Sequence, residues 1–214
     1  MQLERFLRAK AEEVKALHRT AERGEMPPPY PGHRPAFTEA LWTSPGRGLP
    51  AVIAEYKRAS PSRGVICEDL SVEETARQYA DAGAAALSIL TEERFFHGRL
   101  EFLERAAEAS LYNGPRPPLL RKDFIFDPLQ VRATASTPAS ALLLIVRLTP
   151  DAHLLRRLRE DAEAHGMQVV VEVFDAIDLR LARESGARVI QVNARDLDSL
   201  TVDRSACLAL AKAY

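Results

Sequence analysis

Cysteine is nearly absent from this 214-residue chain: there are two, Cys67 and Cys207, far apart in sequence. They make neither a disulfide framework nor a metal-ligand pattern, which points to a reducing, cytoplasmic setting. No apolar run approaches the roughly 18 residues a membrane helix needs. The longest, Ala139 to Val146, contains a serine and stops at Arg147. Neither charge sign dominates: 29 Lys and Arg face 30 Asp and Glu, a formal net charge of -1. Without a basic excess, nucleic acid and anionic membrane are poor partners. The five histidines show no metal-ligand spacing, and no GxGxxG loop follows the first strand candidate. The N-terminus is charged and amphipathic, unlike a signal peptide.

What is present is the composition of a soluble globular domain, 46% hydrophobic and 28% charged. Leu3, Phe6, Leu7, Val14 and Leu17 recur near helical spacing, predicting an amphipathic helix from about Gln2 to Glu22. Pro27, Pro28, Pro29, Pro31 and Pro35 follow and read as an extended connection, because proline fixes φ and lacks an amide donor. A short helix over Phe37–Leu41 leads into the body of the fold. Two segments result: a helical extension with a Pro-rich linker over 1–48, and the main domain over 49–214.

From Ala51 onward one pattern occurs six times, a short apolar run followed by a stretch of helical period. The strand candidates are Ala51–Tyr56, Ala85–Leu90, Pro118–Lys122, Ala141–Val146, Gln168–Val173 and Arg188–Asn193. The helix candidates are Val72–Asp81, Leu100–Ala109, Pro128–Ala135, Ala152–His165, Ala176–Glu184 and Arg204–Ala213. Ser71 and Asp127 suit helix N-caps, Pro128 suits a first helical position, and Gly83, Gly166 and Gly186 suit helix ends. Alternating strands and helices imply βαβ units and a parallel sheet, closed as a barrel or open and doubly wound. The missing Gly-rich loop and the polar residues at several strand ends favour an α/β fold of the (β/α)8 TIM-barrel type.

Those strand ends carry the chemistry. Alternation puts Ile53, Glu55 and Lys57 on one face of the first strand and Ala54 and Tyr56 on the other. Helices cover a barrel's outer face, so Glu55 and Lys57 belong at the mouth. Lys122, Glu172 and Asn193 each end an otherwise apolar strand. Together they would supply an acid and a base in a mouth that also attracts an anion such as phosphate or carboxylate.

Several stretches resemble the indole-3-glycerol-phosphate synthases of tryptophan biosynthesis. They are Ile53-Ala54-Glu55-Tyr56-Lys57-Arg58-Ala59-Ser60-Pro61-Ser62, Ser88-Ile89-Leu90-Thr91-Glu92 with Phe96-His97-Gly98, and Leu119-Leu120-Arg121-Lys122-Asp123-Phe124. Val171-Glu172-Val173 and Val192-Asn193-Ala194-Arg195-Asp196-Leu197 complete the set, and the helical extension before the barrel also resembles that family. The resemblance implies a lyase that converts 1-(2-carboxyphenylamino)-1-deoxyribulose 5-phosphate to indole-3-glycerol phosphate, carbon dioxide and water, with no cofactor or metal. Lys122 matches the lysine usually assigned as the acid of ring closure, and Glu172 a glutamate discussed as base or electrostatic stabiliser. Glu55 and Lys57 match residues implicated in dehydration and polar contacts, and Asn193 would orient substrate hydroxyls. Phe96 and Phe124 read equally as flanks of the anthranilate ring or as core aromatics. Ser60 and Arg195 read as anion contacts, with a solvated Arg195 the alternative.

The chain also departs from the pattern. A complete barrel has eight βα units in about 250 residues, whereas six are visible here. The expectation is a barrel lacking its last two units, with open edges at the first and sixth strands through which it could self-associate. The family's Ser-Gly and Gly-Ser turns after strands seven and eight have no counterpart. Ser136-Thr137-Pro138-Ala139 stands where a Gly-containing turn is common, implying a different turn or a disturbed third helix. Phe174 replaces a common histidine, and Gln191 a usual glycine. Two other readings are an inactive barrel fragment that binds an anionic ligand or a partner, and another phosphate-handling barrel enzyme such as phosphoribosylanthranilate isomerase. The latter needs a cysteine–aspartate pair, and Cys67, in the loop after the first strand, is poorly placed to supply it.

Overall fold

The computed structural model describes residues 2–43, 50–196 and 201–213. The boundary expected between 48 and 49, and Leu197 of the last motif, lie outside the described residues. Six strands form one parallel sheet in sequence order: β1 (Ile53–Tyr56), β2 (Ala86–Leu90), β3 (Leu119–Lys122), β4 (Ala141–Ile145), β5 (Gln168–Val173) and β6 (Val189–Val192). Every neighbouring pair is parallel, as βα connections require. The sheet curls into the half-barrel expected of six TIM-type units, and β1 and β6 are edge strands among the described residues.

Helices α1 (Gln2–Glu22) and α2 (Phe37–Thr43) precede the sheet. They are followed by α3 (Val72–Asp81), α4 (Glu93–Phe96), α5 (Phe102–Ala106), α6 (Pro128–Ala135), α7 (Ala152–Ala164), α8 (Ala176–Glu184) and α9 (Arg204–Ala213). The Ser71 hydroxyl accepts from Glu74 N, and Asp127 with Gln130 closes a capping box on α6. Gly83, Gly166 and Gly186 adopt positive φ after α3, α7 and α8, turning the chain back toward the sheet. The run expected as one helix over Leu100–Ala109 is divided into α5 and a 3-10 turn over Ala109–Leu111.

Strand alternation divides the core in two. Leu142, Leu144, Val169, Val171 and Val173 face outward against Leu155, Leu158, Ala162 and Leu179 of the covering helices. Tyr56, Leu87, Ile89 and Leu119 do the same beneath α3 and α5, which places Tyr56 opposite Glu55 as its position in β1 requires. The inner core contains Leu120, Leu143, Ile145 and Val170, joined by Phe6 of α1 and the fully buried Phe37 of α2. Gln168, at the start of β5, exchanges two hydrogen bonds with Thr38, fixing α2 at that end of the sheet.

Of the two outcomes expected around Pro138, a different turn or a disturbed third helix, the second does not occur: the helix is undisturbed. Helix α6 runs regularly to Ala135, and the turn after it is held by Arg34 from the Pro-rich segment. The Arg34 guanidinium donates to the carbonyls of Ala135 and Ala139, both at 2.6 Å, and to that of Thr137. Three chain carbonyls around this turn are thus satisfied from a distant segment.

Candidate active site

Each inner-facing strand end delivers a side chain to one cavity of about 450 Å³ at the carboxyl ends of the strands. Glu55 and Lys57 from β1 and the residues after it, Lys122 from β3, Glu172 from β5 and Asn193 after β6 all line it, as do Ser60, Phe96, Phe124 and Arg195. All nine residues singled out in the sequence therefore share a single cavity.

The charged groups are organised in two pairs. Lys57 Nζ lies 2.5 Å from Glu55 Oε1, with both side chains about one-third exposed. Lys122 Nζ stands 3.4 Å from Glu172 Oε2, and here the carboxylate is almost completely buried. Asn193 Nδ2 donates to the other oxygen, Glu172 Oε1, at 2.9 Å. Burying a carboxylate is costly unless its lone pairs are used, and these donors supply the compensation.

One wall of the cavity is aromatic. Phe124 is buried and stacked on Phe6 with centroids 4.3 Å apart and planes at 21°. Phe96 leans against Phe124 at 6.0 Å and 60°. Phe96 and Phe124 thus belong to the inner core and also border the cavity, so their two readings coexist. Phe6 was not foreseen as a cavity residue: α1, expected as a helical extension packed on the domain, brings it to the wall.

The position of Phe96 is set by Glu92. This buried carboxylate accepts from the backbone N–H groups of Arg94, Phe95 and Phe96 at 3.0, 2.7 and 3.1 Å, capping α4. Burial pushes the Glu92 carboxyl above its ordinary range, assisted by the nearby Asp123 charge, and the three N–H donors oppose that rise. His97 then adopts a left-handed conformation, and Gly98 returns the chain to Glu92 O through its N–H at 2.8 Å. A Cβ on Gly98 would collide with the Leu90 carbonyl. Close backbone approach is therefore why Phe96-His97-Gly98 ends in glycine.

Behind the cavity, the end of β3 carries a second set of charges. Arg121, adjacent to Lys122, points to the opposite face and is buried with Asp123, at 2.8 Å. Lys10 of α1 reaches Asp123 Oδ1 at 2.9 Å and also pairs with Glu13. Thr91 donates to Asp123 at 2.6 Å. Burial alone would raise the Asp123 carboxyl, but Arg121 and Lys10 outweigh it and hold the group well below the ordinary carboxylate range.

At the far rim, Arg147 bonds Asp196, Asp175 and Asp178 at 2.6, 3.0 and 3.2 Å and lies over the Phe174 ring at 4.3 Å. One guanidinium thereby joins the segments after β4, β5 and β6, and Phe174, in place of a histidine, provides its platform. Among the described residues no cluster of His, Cys, Asp and Glu could hold a metal ion, and no helix is long and apolar enough to cross a membrane. Both cysteines are free thiols.

Fold and site together define a TIM-type α/β protein with a lysine–glutamate pair beside an aromatic wall at the carboxyl ends of its strands. The family model described as indole-3-glycerol phosphate synthase matches residues 3–214. The chain is 43% identical over 183 residues to the indole-3-glycerol phosphate synthase of Koribacter versatilis, covering 85% of this chain and 68% of that protein. To the Roseiflexus castenholzii protein of the same name it is 47% identical over 153 residues, 71% of this chain and 56% of the relative. To the Desulfotalea psychrophila one it is 38% identical over 205 residues, 94% and 75% of the two chains. The chain belongs to the indole-3-glycerol phosphate synthase family, and its match spans between 56% and 75% of the length of these three relatives.

Proposed function

We propose that the protein catalyses the decarboxylating ring closure of 1-(2-carboxyphenylamino)-1-deoxyribulose 5-phosphate to indole-3-glycerol phosphate, carbon dioxide and water, a step of tryptophan biosynthesis in the cytoplasm. The observation that carries this reading is the Lys122 ammonium, 3.4 Å from the buried Glu172 carboxylate and facing a cavity walled by Phe96 and Phe124. A ring carbon must attack the ribulose carbonyl while its oxygen gains a proton, and an ammonium beside an apolar wall suits that donation. Carbon dioxide then leaves from the attacking ring carbon, which restores the aromatic ring; the hydroxyl on the attacked carbon departs as water, and a last proton loss completes the indole.

In this scheme Lys122 is the acid of ring closure, and Glu172 is the base or the stabiliser of developing positive charge. Glu55 and Lys57 serve dehydration and polar contact with the substrate, and Asn193 orients its hydroxyls. Phe96 and Phe124 flank the anthranilate ring. Ser60 and Arg195 contact the anionic groups of this phosphorylated small molecule.

The test is product fluorescence on the full protein and on Lys122→Met, which keeps the stem and removes the ammonium. Acid–base roles contribute roughly 10²–10⁴-fold. A folded Lys122→Met variant that retains more than about one-tenth of the turnover would refute the acid role. A folded wild-type protein that forms no indole product would remove the reading altogether.

A further inference from the structure

Glu172 has a neighbour that the site residues discussed so far do not include. Along β6, Val189, Gln191 and Asn193 alternate toward the inner face, while Ile190 and Val192 pack in the outer core. Gln191 stands where the family resemblance leads one to expect glycine, and its carboxamide lines the cavity. The ladder register places Gln191 directly beside Glu172, both on strands of the sheet. Gln191 Nε2 donates to Glu172 Oε2 at 2.6 Å. Lys122 Nζ addresses the same oxygen from 3.4 Å, beyond the roughly 2.7–2.9 Å of a close charge-assisted bond. The neutral donor therefore holds the shorter bond and the cation the longer one.

We infer that Gln191 is a positioning residue: by occupying Glu172 Oε2 it keeps Lys122 and Glu172 from closing into a tight ion pair. A tight pair would turn the ammonium toward the carboxylate and away from the substrate oxygen it must address. With Asn193 fixing Oε1 and Gln191 fixing Oε2, the carboxylate has little freedom to rotate toward Lys122. This inference rests on the proposed function only in assigning Lys122 and Glu172 to the chemistry; the Gln191–Glu172 bond is a separate matter of geometry.

The experiment is a mutant cycle in the full protein with an NMR measurement beside it. Gln191→Met keeps most of the volume and removes the donor. It should lower kcat roughly tenfold with KM changed much less, because positioning is lost and binding contacts are kept. In the Glu172→Gln background the same substitution should cost less than about twofold, since Gln191 acts through Glu172. A merely structural role would cost the same in both backgrounds. In 15N-edited spectra the Gln191 side-chain amide should show one strongly downfield proton that moves upfield in Glu172→Gln. Turnover of Gln191→Met within about twofold of wild type, or an equal loss in both backgrounds, would overturn the inference. If the wild-type protein forms no indole product, the proposed function falls and the amide signal alone decides: a Gln191 resonance indifferent to Glu172→Gln refutes the bond.

Discussion

Replacing Lys10 with Met tests whether α1 is fastened to the barrel by charge. The Lys10 side chain is 3% exposed, and its ammonium lies 2.9 Å from Asp123 Oδ1, an atom group with no exposure of its own. Removing one partner of a buried ion pair typically costs about 3–5 kcal/mol, because the other charge is left uncompensated. Here Asp123 keeps Arg121 at 2.8 Å, the Thr91 hydroxyl at 2.6 Å and the Phe124 N–H at 2.8 Å. The loss should therefore fall below that range, at about 2–3 kcal/mol. Asp123→Asn uncouples both cations and should cost more, about 3–5 kcal/mol. Lys15→Met is the internal control: the same helix and residue type, with Glu12 at 2.8 Å, but a pair open to solvent. It should leave stability unchanged.

The assay is urea unfolding followed by circular dichroism, with the slope required to stay constant across variants. Acid adds a second arm. Asp123 is depressed in the folded protein relative to about 3.9 in the unfolded chain, so its contribution is fully present above about pH 4 and disappears as pH falls through the folded value. The gap between wild type and Lys10→Met should accordingly narrow as pH falls from about 4 toward the depressed folded value, where the carboxylate that Lys10 serves becomes neutral. A Lys10→Met variant within about 0.5 kcal/mol of wild type at pH 7, or a gap independent of pH, would refute this account of the network.

Gly98→Ala should cost about 1–3 kcal/mol, because its Cβ meets the Leu90 carbonyl and the backbone between β2 and α5 must move. The same shift displaces Phe96, so KM should rise in the variant; an unchanged melting temperature and KM would show the close approach to be dispensable. Arg147→Met removes the guanidinium that bridges Asp175, Asp178 and Asp196, with an expected loss of about 1–3 kcal/mol at pH 7. That loss should shrink in acid as the carboxylates protonate. A destabilisation equal at pH 7 and pH 4 would instead mark Arg147 as a packing residue on Phe174.

Most strands and helices were legible because local signals agreed. Apolar runs bounded by Ser71, Asp127, Gly83, Gly166 and Gly186 fixed element order, and β5, α3, α6 and α8 have the expected ends. What escaped was short or distant. Helix α4 has four residues and no apolar period; it exists because the Glu92 carboxylate gathers three N–H groups. The hairpin of Ala59–Ser60 with Gly64–Val65 is likewise too brief to declare itself. Phe6 reaches the aromatic wall, and Arg34 the turn after α6, only through tertiary contacts with segments far along the chain. Gln191 did carry a signal. It is the polar residue two positions before Asn193 in an apolar strand, so alternation alone directs it to the same face.

The end of β3 explains why fold and site are joined in this chain. Two adjacent cations, Arg121 and Lys122, project to opposite faces because successive strand residues must. Arg121 is bound into the buried network with Asp123, Thr91 and Thr134, and Lys10 draws α1 onto that network. The same helix carries Phe6 one turn earlier, and Phe6 stacks on Phe124, the residue after Asp123. Whatever locates Asp123 therefore locates both the Lys122 ammonium and the aromatic wall it faces. A perturbation of Lys10, which does not itself line the cavity, should for this reason appear in turnover as well as in stability. The two effects should scale together across Lys10→Met and Asp123→Asn, whereas Lys15→Met should show neither. Stability lost in the first two variants with turnover intact would show that the network supports the fold without setting the site.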